Sequence, residues 1–264
     1  MTTTMNRLPV PTWNQCGVNS APNAAALPAV RDWGEVDLAF TLPAGVGEAE
    51  TGFDTFAESG MGVETDAYLL ANANIRHALT VADSVAVNDP ILFETTLDAA
   101  HPTALSCITL DAGAHSDITL VQVVRGDAED GVAASLTRIR AGEGAHVKLV
   151  QVQLLGKKAR RWNAVAVEEA TGAKVEQVRV ELGGILSACG TRAALAANKS
   201  EYDLDAIYFG EGDAVLDYND VSVHTAKDTL CEMHTAGVLT GNADKILRGT
   251  IDFRRGAKRG VGHE

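Results

Sequence analysis

Three side chains near the C-terminal end of the chain are suited to binding a metal: His224, Cys231 and His234. Imidazoles and thiolates are good ligands for iron, and iron–sulfur clusters are held mainly by thiolates. Because these residues form the best grouping of soft ligands in the chain, we predict them as candidate metal ligands. The alternative for each is a packed or surface side chain, which is a common fate of free cysteine.

The other three cysteines, Cys16, Cys107 and Cys189, are widely spaced and form no C-x-x-C pair. This spacing favours free thiols in a reducing cytoplasm over a disulfide framework. Cys107 lies beside Ile108 in an alternating run, so we expect Cys107 to point outward if Ile108 points inward.

His115 and His146 follow similar glycine turns, and Lys174 takes the same place after a third. If these turns stack directly, equivalent side chains lie about 4.8 Å apart, and two imidazoles could share a metal. A solvent-facing polar ladder is the favoured interpretation, because Lys174 interrupts the histidines.

Two charged groups allow more than one interpretation. The acidic residues between positions 203 and 220 could bind a hard cation or act as a pectinase-like carboxylate set, although a solvated face is the simpler reading. The basic stretch 157–161 is expected to be a loop between strands that could contact an acidic partner. The acidic group consists of Asp203, Asp205, Glu211, Asp213, Asp217 and Asp220.

Motifs of catalysis are absent from the sequence. It contains no Gly-x-x-x-x-Gly-Lys-Ser/Thr loop, no Gly-x-Ser-x-Gly nucleophile elbow and no His-Glu-x-x-His zinc helix. We therefore predict no catalytic residues, no cofactor-binding residues and no enzymatic activity.

The charge balance limits the partners. The 264 residues carry 22 basic and 35 acidic side chains, which gives a net charge of -13. An acidic protein repels phosphate groups, so we expect neither nucleic acid nor an anionic membrane as a partner. No signal peptide and no bilayer-spanning apolar run is apparent, which favours a cytoplasmic protein.

The elements that must position these residues are indicated by a unit that recurs three times. Aligned on Gly113, Gly144 and Gly172, each copy has an alanine after the glycine and apolar residues at matching offsets. Each copy is read as a strand, a glycine turn and a second strand, and such a unit cannot bury its apolar face alone. The repeat predicts an all-β, stacked solenoid. The matching positions are Val121, Val152 and Val180, then Val123, Leu154 and Leu182, with Gln122, Gln153 and Glu181 between them.

The remaining chain is less regular. We expect residues 1–60 to form an irregular N-terminal segment anchored by Trp13 and Trp33, and residues 61–264 to form the β-helix core. The run 68–75 is interpreted as a short helix or a strand, and the Ala-rich run 185–198 as a distorted rung or a short helix. The end of the chain reads as a glycine turn that lacks its following strand.

Several of these motifs together resemble the SufB/SufD family, the non-ATPase scaffold proteins of SUF iron–sulfur cluster assembly, and short SufD-like members in particular. The most specific part of the resemblance runs from His224 to Ile251. In this part Cys231 stands where the family usually has Ser, Ala236 where it has Lys, and Leu247 where it has Phe. The motifs are Asn6-Arg-Leu-Pro-Val-Pro-Thr-Trp-Asn14, Val87-Asn-Asp-Pro-Ile91, the three Gly-Ala turns, His224 with Thr229-Leu-Cys231, Gly237-Val-Leu239 and Leu247-Arg-Gly-Thr-Ile251.

The resemblance implies a right-handed parallel β-helix, an ABC-type ATPase partner (SufC) and a second SufB/SufD-type subunit or a second copy of this chain. It also implies a transient iron–sulfur cluster rather than an intrinsic cofactor. The family continues with further rungs, a motif that carries a proposed cluster-site histidine, and a helical segment that docks on the ATPase. We expect this chain to lack all three.

Two other functions remain open at this point. One is a structural β-solenoid module that only oligomerises. The other is a β-helix polysaccharide-active enzyme, which the absent secretion signal and the few aromatic residues disfavour.

Overall fold

The computed structural model describes residues 4–12, 14–21, 27, 40–49 and 56–264. Trp13 and Trp33, the predicted anchors, lie outside these residues. The described part is nearly all β, and it contains a single helix, α1. In chain order the elements are β1 (Val46–Glu48), α1 (Val63–Asn72), β2 (Ile75–Val81), β3 (Ile91–Leu97), β4 (Thr103–Ala112), β5 (Asp117–Gly126), β6 (Val132–Ala141), β7 (His146–Leu155), β8 (Arg160–Glu169), β9 (Lys174–Leu182), β10 (Leu186–Leu195), β11 (Glu201–Gly210), β12 (Val215–His224), β13 (Leu230–Leu239), β14 (Asp244–Phe253) and β15 (Val261–His263).

Successive strands alternate between two parallel sheets. Strands β2 to β14 with even numbers form one sheet, the even sheet, with β1 antiparallel at its edge, and the odd-numbered strands β3 to β15 form the odd sheet. One turn of the solenoid carries the chain from Thr103 to Val132, which lie side by side in neighbouring strands. The structure is a β-solenoid of about seven turns, so the predicted solenoid is confirmed.

Alternation along each strand sorts the side chains between the interior and the outside. In β7, Val147 and Leu149 enter the main apolar core between the sheets, whereas Lys148 and Val150 face outward and are partly exposed. The interior is not apolar throughout, because the second half of several strands places amides and charged groups inside. One such position holds Gln122, Gln151 and Arg179 in neighbouring strands, and all three side chains are buried.

The turns between the sheets contain a position with positive φ. His115 (φ 57), Gly144 (φ 62) and Gly172 (φ 67) occupy it in consecutive turns. The register pairs Asp117 with His146, so the alignment on Gly113 is wrong by two residues for the first copy. Glycine can stand at more than one position of such a turn, and Gly113 precedes the positive-φ position instead of occupying it.

The outer face of the even sheet is covered by α1 and the N-terminal segment. Met5, Met61 and Leu69 pack there against Cys107 and Trp162, among other residues. This layer lies close to the sheet, because a Cβ at Gly190 would approach the backbone of Gly60 to 2.5 Å.

Polar contacts also tie the N-terminal segment to late strands. The amide of Asn6 donates to the Asp217 carboxylate (2.6 Å), and that of Asn219 donates to the Gly60 carbonyl (2.7 Å). Arg248 binds both the Asp217 carboxylate and the Val18 carbonyl. The N-terminal segment therefore spans several turns of the solenoid.

Three local expectations are now decided. The run 68–75 contributes its first residues to α1, and the Ala-rich run 185–198 forms the regular strand β10. The expectation that the last glycine turn lacks a strand is wrong, because β15 follows it and pairs in parallel with β13. The division at residue 60 stays a prediction. Within the described residues, no helix is long and apolar enough to cross a membrane.

Candidate functional site

His224 and Cys231 both point into the solenoid at its C-terminal end. The Ser222 hydroxyl lies 3.3 Å from Nε2 of His224, and the Thr229 hydroxyl lies 2.7 Å from Nδ1. The imidazole stacks on Phe253, with 4.3 Å between ring centroids. Burial lowers the pKa of His224, so the ring is neutral at physiological pH, which is the form that can bind a metal.

Cys231 is fully buried in the apolar core of the interior. Burial raises the pKa of its thiol to about 12, against a smaller opposing effect of a hydrogen bond with Ser222. The thiol is therefore protonated, and binding of a metal would have to displace its proton.

His234 lies away from the other two candidates. It follows Cys231 by three residues in the same strand, so its side chain points to the opposite face of the odd sheet. There it is exposed, and its Nδ1 lies 3.5 Å from Oδ1 of Asp205. The structure thus brings His224 and Cys231 to one interior and leaves His234 outside. Among the described residues, no three His, Cys, Asp or Glu side chains are arranged to hold a metal ion.

The remaining cysteines differ in their surroundings. Cys107 faces outward from the solenoid, as its strand parity predicted, but the layer that covers the even sheet buries it and raises its pKa to about 12. The alternation of side chains along a strand predicts on which face of the sheet a residue lies, but it does not predict what covers that face. Cys16 is exposed, and none of the four cysteines forms a disulfide.

Cys189 points into the solenoid, among buried polar side chains that the sequence did not indicate as a site. We call these side chains, with the glutamines described below, the polar band. The Sγ of Cys189 is 3.6 Å from the Ser187 hydroxyl, which donates to the Glu181 carboxylate at 2.8 Å. Burial raises the pKa of the Cys189 thiol far above its usual value. The guanidinium of Arg161 is buried nearby and electrostatically coupled to Glu181 and Cys189, and burial lowers its pKa.

A buried ion pair lies next to this thiol. Arg179 donates two hydrogen bonds of 2.8 Å to the two carboxylate oxygens of Asp220. The guanidinium also lies 4.7 Å from the centroid of the Tyr218 ring. The pair is almost completely buried, and it joins β9 of the odd sheet to β12 of the even sheet across the interior.

Amides continue the polar band toward the N-terminal turns. Gln151 donates to Gln122 at 2.8 Å, Gln177 donates to Gln151 at 3.0 Å, and Tyr202 donates to Gln177 at 2.7 Å. A cavity of about 30 Å³ beside Gln122 and Arg161 has room for one water molecule. The available sequence signal was a set of inward-facing glutamines, of which Gln122 and Gln151 share one strand position in a register that differs by two residues from the predicted one.

The other charged groups do not form a single site. His146 lies between Asp117 and Glu176 and does not face His115. The acidic residues of the 203–220 group divide among different faces, since Asp220 points inward, and Asp217 lies under the N-terminal segment. In the basic stretch, Lys157 lies in a turn and Arg161 belongs to β8 and points inward, so the expectation of a plain loop is wrong for its second half.

Comparison with known protein families gives a match. The family model described as "SUF system FeS cluster assembly, SufBD core domain" matches residues 95–264. No curated protein matches the chain. The match covers β4 to β15, which include every interior thiol and the buried ion pair.

Proposed function

Since the chain belongs to the SufB/SufD family of the SUF system, we propose that it is a non-catalytic scaffold of iron–sulfur cluster assembly. The family match carries this proposal. The protected thiols and the neutral imidazole inside the solenoid support a role in holding nascent cluster components, with the cluster as cargo. The absence of a nucleotide-binding loop from the sequence favours an ATPase supplied by another subunit.

The proposed partners are an ABC-type ATPase of the SufC kind and a second SufB/SufD-type subunit. A cytoplasmic location belongs to the same proposal and is supported by the free thiols of all four cysteines. Co-purification with a SufC-type ATPase, in the presence of the second subunit, tests the partnership. We expect a complex that survives gel filtration. Separate elution, also when the family's C-terminal segment is appended, would contradict the proposed scaffold role.

His224 and Cys231 are the proposed contacts for iron within this chain. Their side chains enter the same interior and both lie beside Ser222. His234 belonged to the original prediction, and its outward position makes it the member expected to contribute least.

Anaerobic reconstitution with iron and sulfide tests this assignment. The His224→Ala, Cys231→Ser double variant is expected to bind less iron than the unaltered chain. The His234→Ala and Cys16→Ser variants serve as matched controls and should retain it. Unchanged iron in the double variant would exclude these two residues without affecting the proposed ATPase partnership.

A further inference from the structure

The cavity inside the first turns of the solenoid has a polar wall that can donate hydrogen bonds. Its volume is about 30 Å³, and it lies among β3, β4, β5 and β6, with one side chain of β8 in its wall. None of the described residues that line it is acidic. A wall of hydroxyls, one carboxamide and one guanidinium, without a carboxylate, suits a negatively charged ligand. These polar residues are Thr95, Ser106, Gln122, Ser135 and Arg161.

The space results from two small residues that stand in one row with a long one. The register of the even sheet aligns Ala104 of β4 with Ala133 of β6, and Ala133 with Arg161 of β8. The two methyl groups leave room beside the guanidinium. This room is enough for one water molecule or one ion of halide size, and it is small for an oxyanion with five heavy atoms such as sulfate.

Arg161 is a buried cation that forms no ion pair with the described residues. It is only 6% exposed, and its Nε has no hydrogen-bond partner among them. Glu181 attracts the guanidinium electrostatically, but that carboxylate accepts its hydrogen bond from Ser187. Arg179, by contrast, has the Asp220 carboxylate at 2.8 Å. Because a guanidinium stays charged in a protein and a buried charge needs a counter-charge close by, Arg161 calls for an anion.

Gln122 provides a second donor, and its neighbours fix which way the amide is turned. The Oε1 atom accepts hydrogen bonds from the Thr137 hydroxyl at 3.1 Å and from Nε2 of Gln151 at 2.8 Å. A flip of the amide would bring two NH₂ groups of the glutamines together, so the contacts themselves assign the orientation. The Nε2 atom of Gln122 is buried and has no acceptor among the described residues. The cavity wall therefore offers two donors that lack acceptors, one of them on a cation.

We propose that this cavity binds one monovalent anion of halide size, held by the guanidinium of Arg161 and the carboxamide of Gln122. The anion would do for Arg161 what the Asp220 carboxylate does for Arg179. A water molecule could accept the same hydrogen bonds, but it would supply no charge. Since Gln122 belongs to the odd sheet and Arg161 to the even sheet, the anion would join the two sheets across the early turns. The proposal is independent of the assembly function, because it uses neither a thiol nor iron.

Thermal unfolding of the full chain in sodium chloride and in sodium gluconate, at equal ionic strength, tests the anion site. Above the dissociation constant, each tenfold rise in chloride should raise the Tm by about 3 to 5 °C, and gluconate, which is too large for the cavity, should have no such effect. Arg161→Met should abolish the chloride effect. Arg160→Met, at the neighbouring and exposed position of β8, is the matched control and should keep it.

Gln122→Glu provides a second and independent variant. The new carboxylate can still accept hydrogen bonds from Thr137 and Gln151, and it places a negative charge of the protein's own beside Arg161. This variant should therefore no longer respond to chloride, even though it retains the guanidinium.

Crystals grown in sodium bromide would locate the ion by its anomalous scattering, which we expect beside Arg161. Equal Tm values of the unaltered chain in chloride and gluconate would overturn the proposal and leave a water molecule as the occupant. An unchanged chloride response in Arg161→Met and Gln122→Glu would also overturn it, because it would reveal a general effect of salt. Bromide found only at other places would do the same.

Discussion

Arg179 and Asp220 meet inside the solenoid through two parallel hydrogen bonds of 2.8 Å, although 41 positions separate them in the chain. Both side chains are almost completely buried. The carboxylate keeps the guanidinium charged, and its charge and hydrogen bonds raise the pKa of Arg179 although burial opposes this. Neither partner could remain buried alone without a large cost in free energy.

Removal of one member of this pair should therefore destabilise the fold. Asp220→Ala is expected to lower the free energy of unfolding by about 3 to 5 kcal/mol, because it leaves the guanidinium uncompensated. An Arg179→Met, Asp220→Leu double variant should recover most of that loss. Urea denaturation measures both. Arg259→Gln, which breaks an exposed pair with Asp228, should change stability much less. An Asp220→Ala protein as stable as this control would contradict the argument.

Glu169 should make the stability depend on pH. Its carboxyl is buried and forms no hydrogen bond of good geometry within the described residues. Burial raises its pKa well above the usual value, and the backbone amide of Val175 compensates only in part. The unfolded chain loses this proton at a lower pH than the folded chain, so stability should fall as the pH rises from the unfolded pKa to the folded pKa.

Glu169→Gln should remove this pH dependence. At neutral pH the variant is expected to be more stable by roughly 1 to 3 kcal/mol, and near pH 4 the advantage should disappear. Thermal unfolding across pH measures the difference. Glu143→Gln, at an exposed turn position, is the matched control and should follow the unaltered chain. Parallel curves for Glu169→Gln and that chain would show that Glu169 is ionised in the fold.

Gly144 and Gly172 lie in equivalent turns, so alanine at each separates the cost of a positive φ from the cost of a steric clash. Both have positive φ, but a Cβ at Gly144 would lie 2.5 Å from Nδ1 of His115, whereas a Cβ at Gly172 would meet nothing within 4 Å. Gly172→Ala should cost about 1 kcal/mol for the backbone alone. Gly144→Ala should cost more, and His115→Ala in that background should remove the difference. Equal costs for the two glycine variants would show that the His115 ring moves freely.

The thiols should react in two distinct groups. Cys16 is exposed, whereas burial raises the pKa of Cys107 and Cys231 to about 12. A thiol reagent at mildly alkaline pH is expected to modify Cys16 rapidly and the three buried cysteines only after denaturation. Counting modified cysteines by mass spectrometry over time checks this. Rapid modification of Cys231 would indicate that the C-terminal end of the interior opens.

The sequence predicted the solenoid but not its exact register. Apolar residues that alternate around glycine turns are a direct consequence of strands with one buried face. The register failed at Gly113, because a glycine marks a turn without marking its place in that turn. The true register is given by the pairing of Asp117 with His146 in neighbouring strands.

The positions of the candidate ligands in the fold could be predicted only in part, and their role stays a prediction. The nearness of His224 to Cys231 in the sequence was informative, since the turn between β12 and β13 returns both to the interior. For His234 the same nearness did not predict its place, because alternation along β13 puts its side chain on the outer face. Cys189, Arg179 and Asp220 stand far apart in the chain, so only the folded structure shows that they share one polar band.

The contacts of Asn6 with Asp217 and of Arg248 with Val18 have a consequence for how the chain folds. Stacked repeats that touch only their neighbours can fray turn by turn from either end. Here the beginning of the chain is bound to its late turns, so loss of those turns also releases the N-terminal residues from the even sheet. During synthesis the N-terminal residues of the layer over the even sheet cannot make their last contacts until residue 248 has emerged. Part of the outer face of the even sheet therefore stays exposed until the late turns have formed. When the N-terminal residues cover it, they couple the separate turns into one cooperative unit.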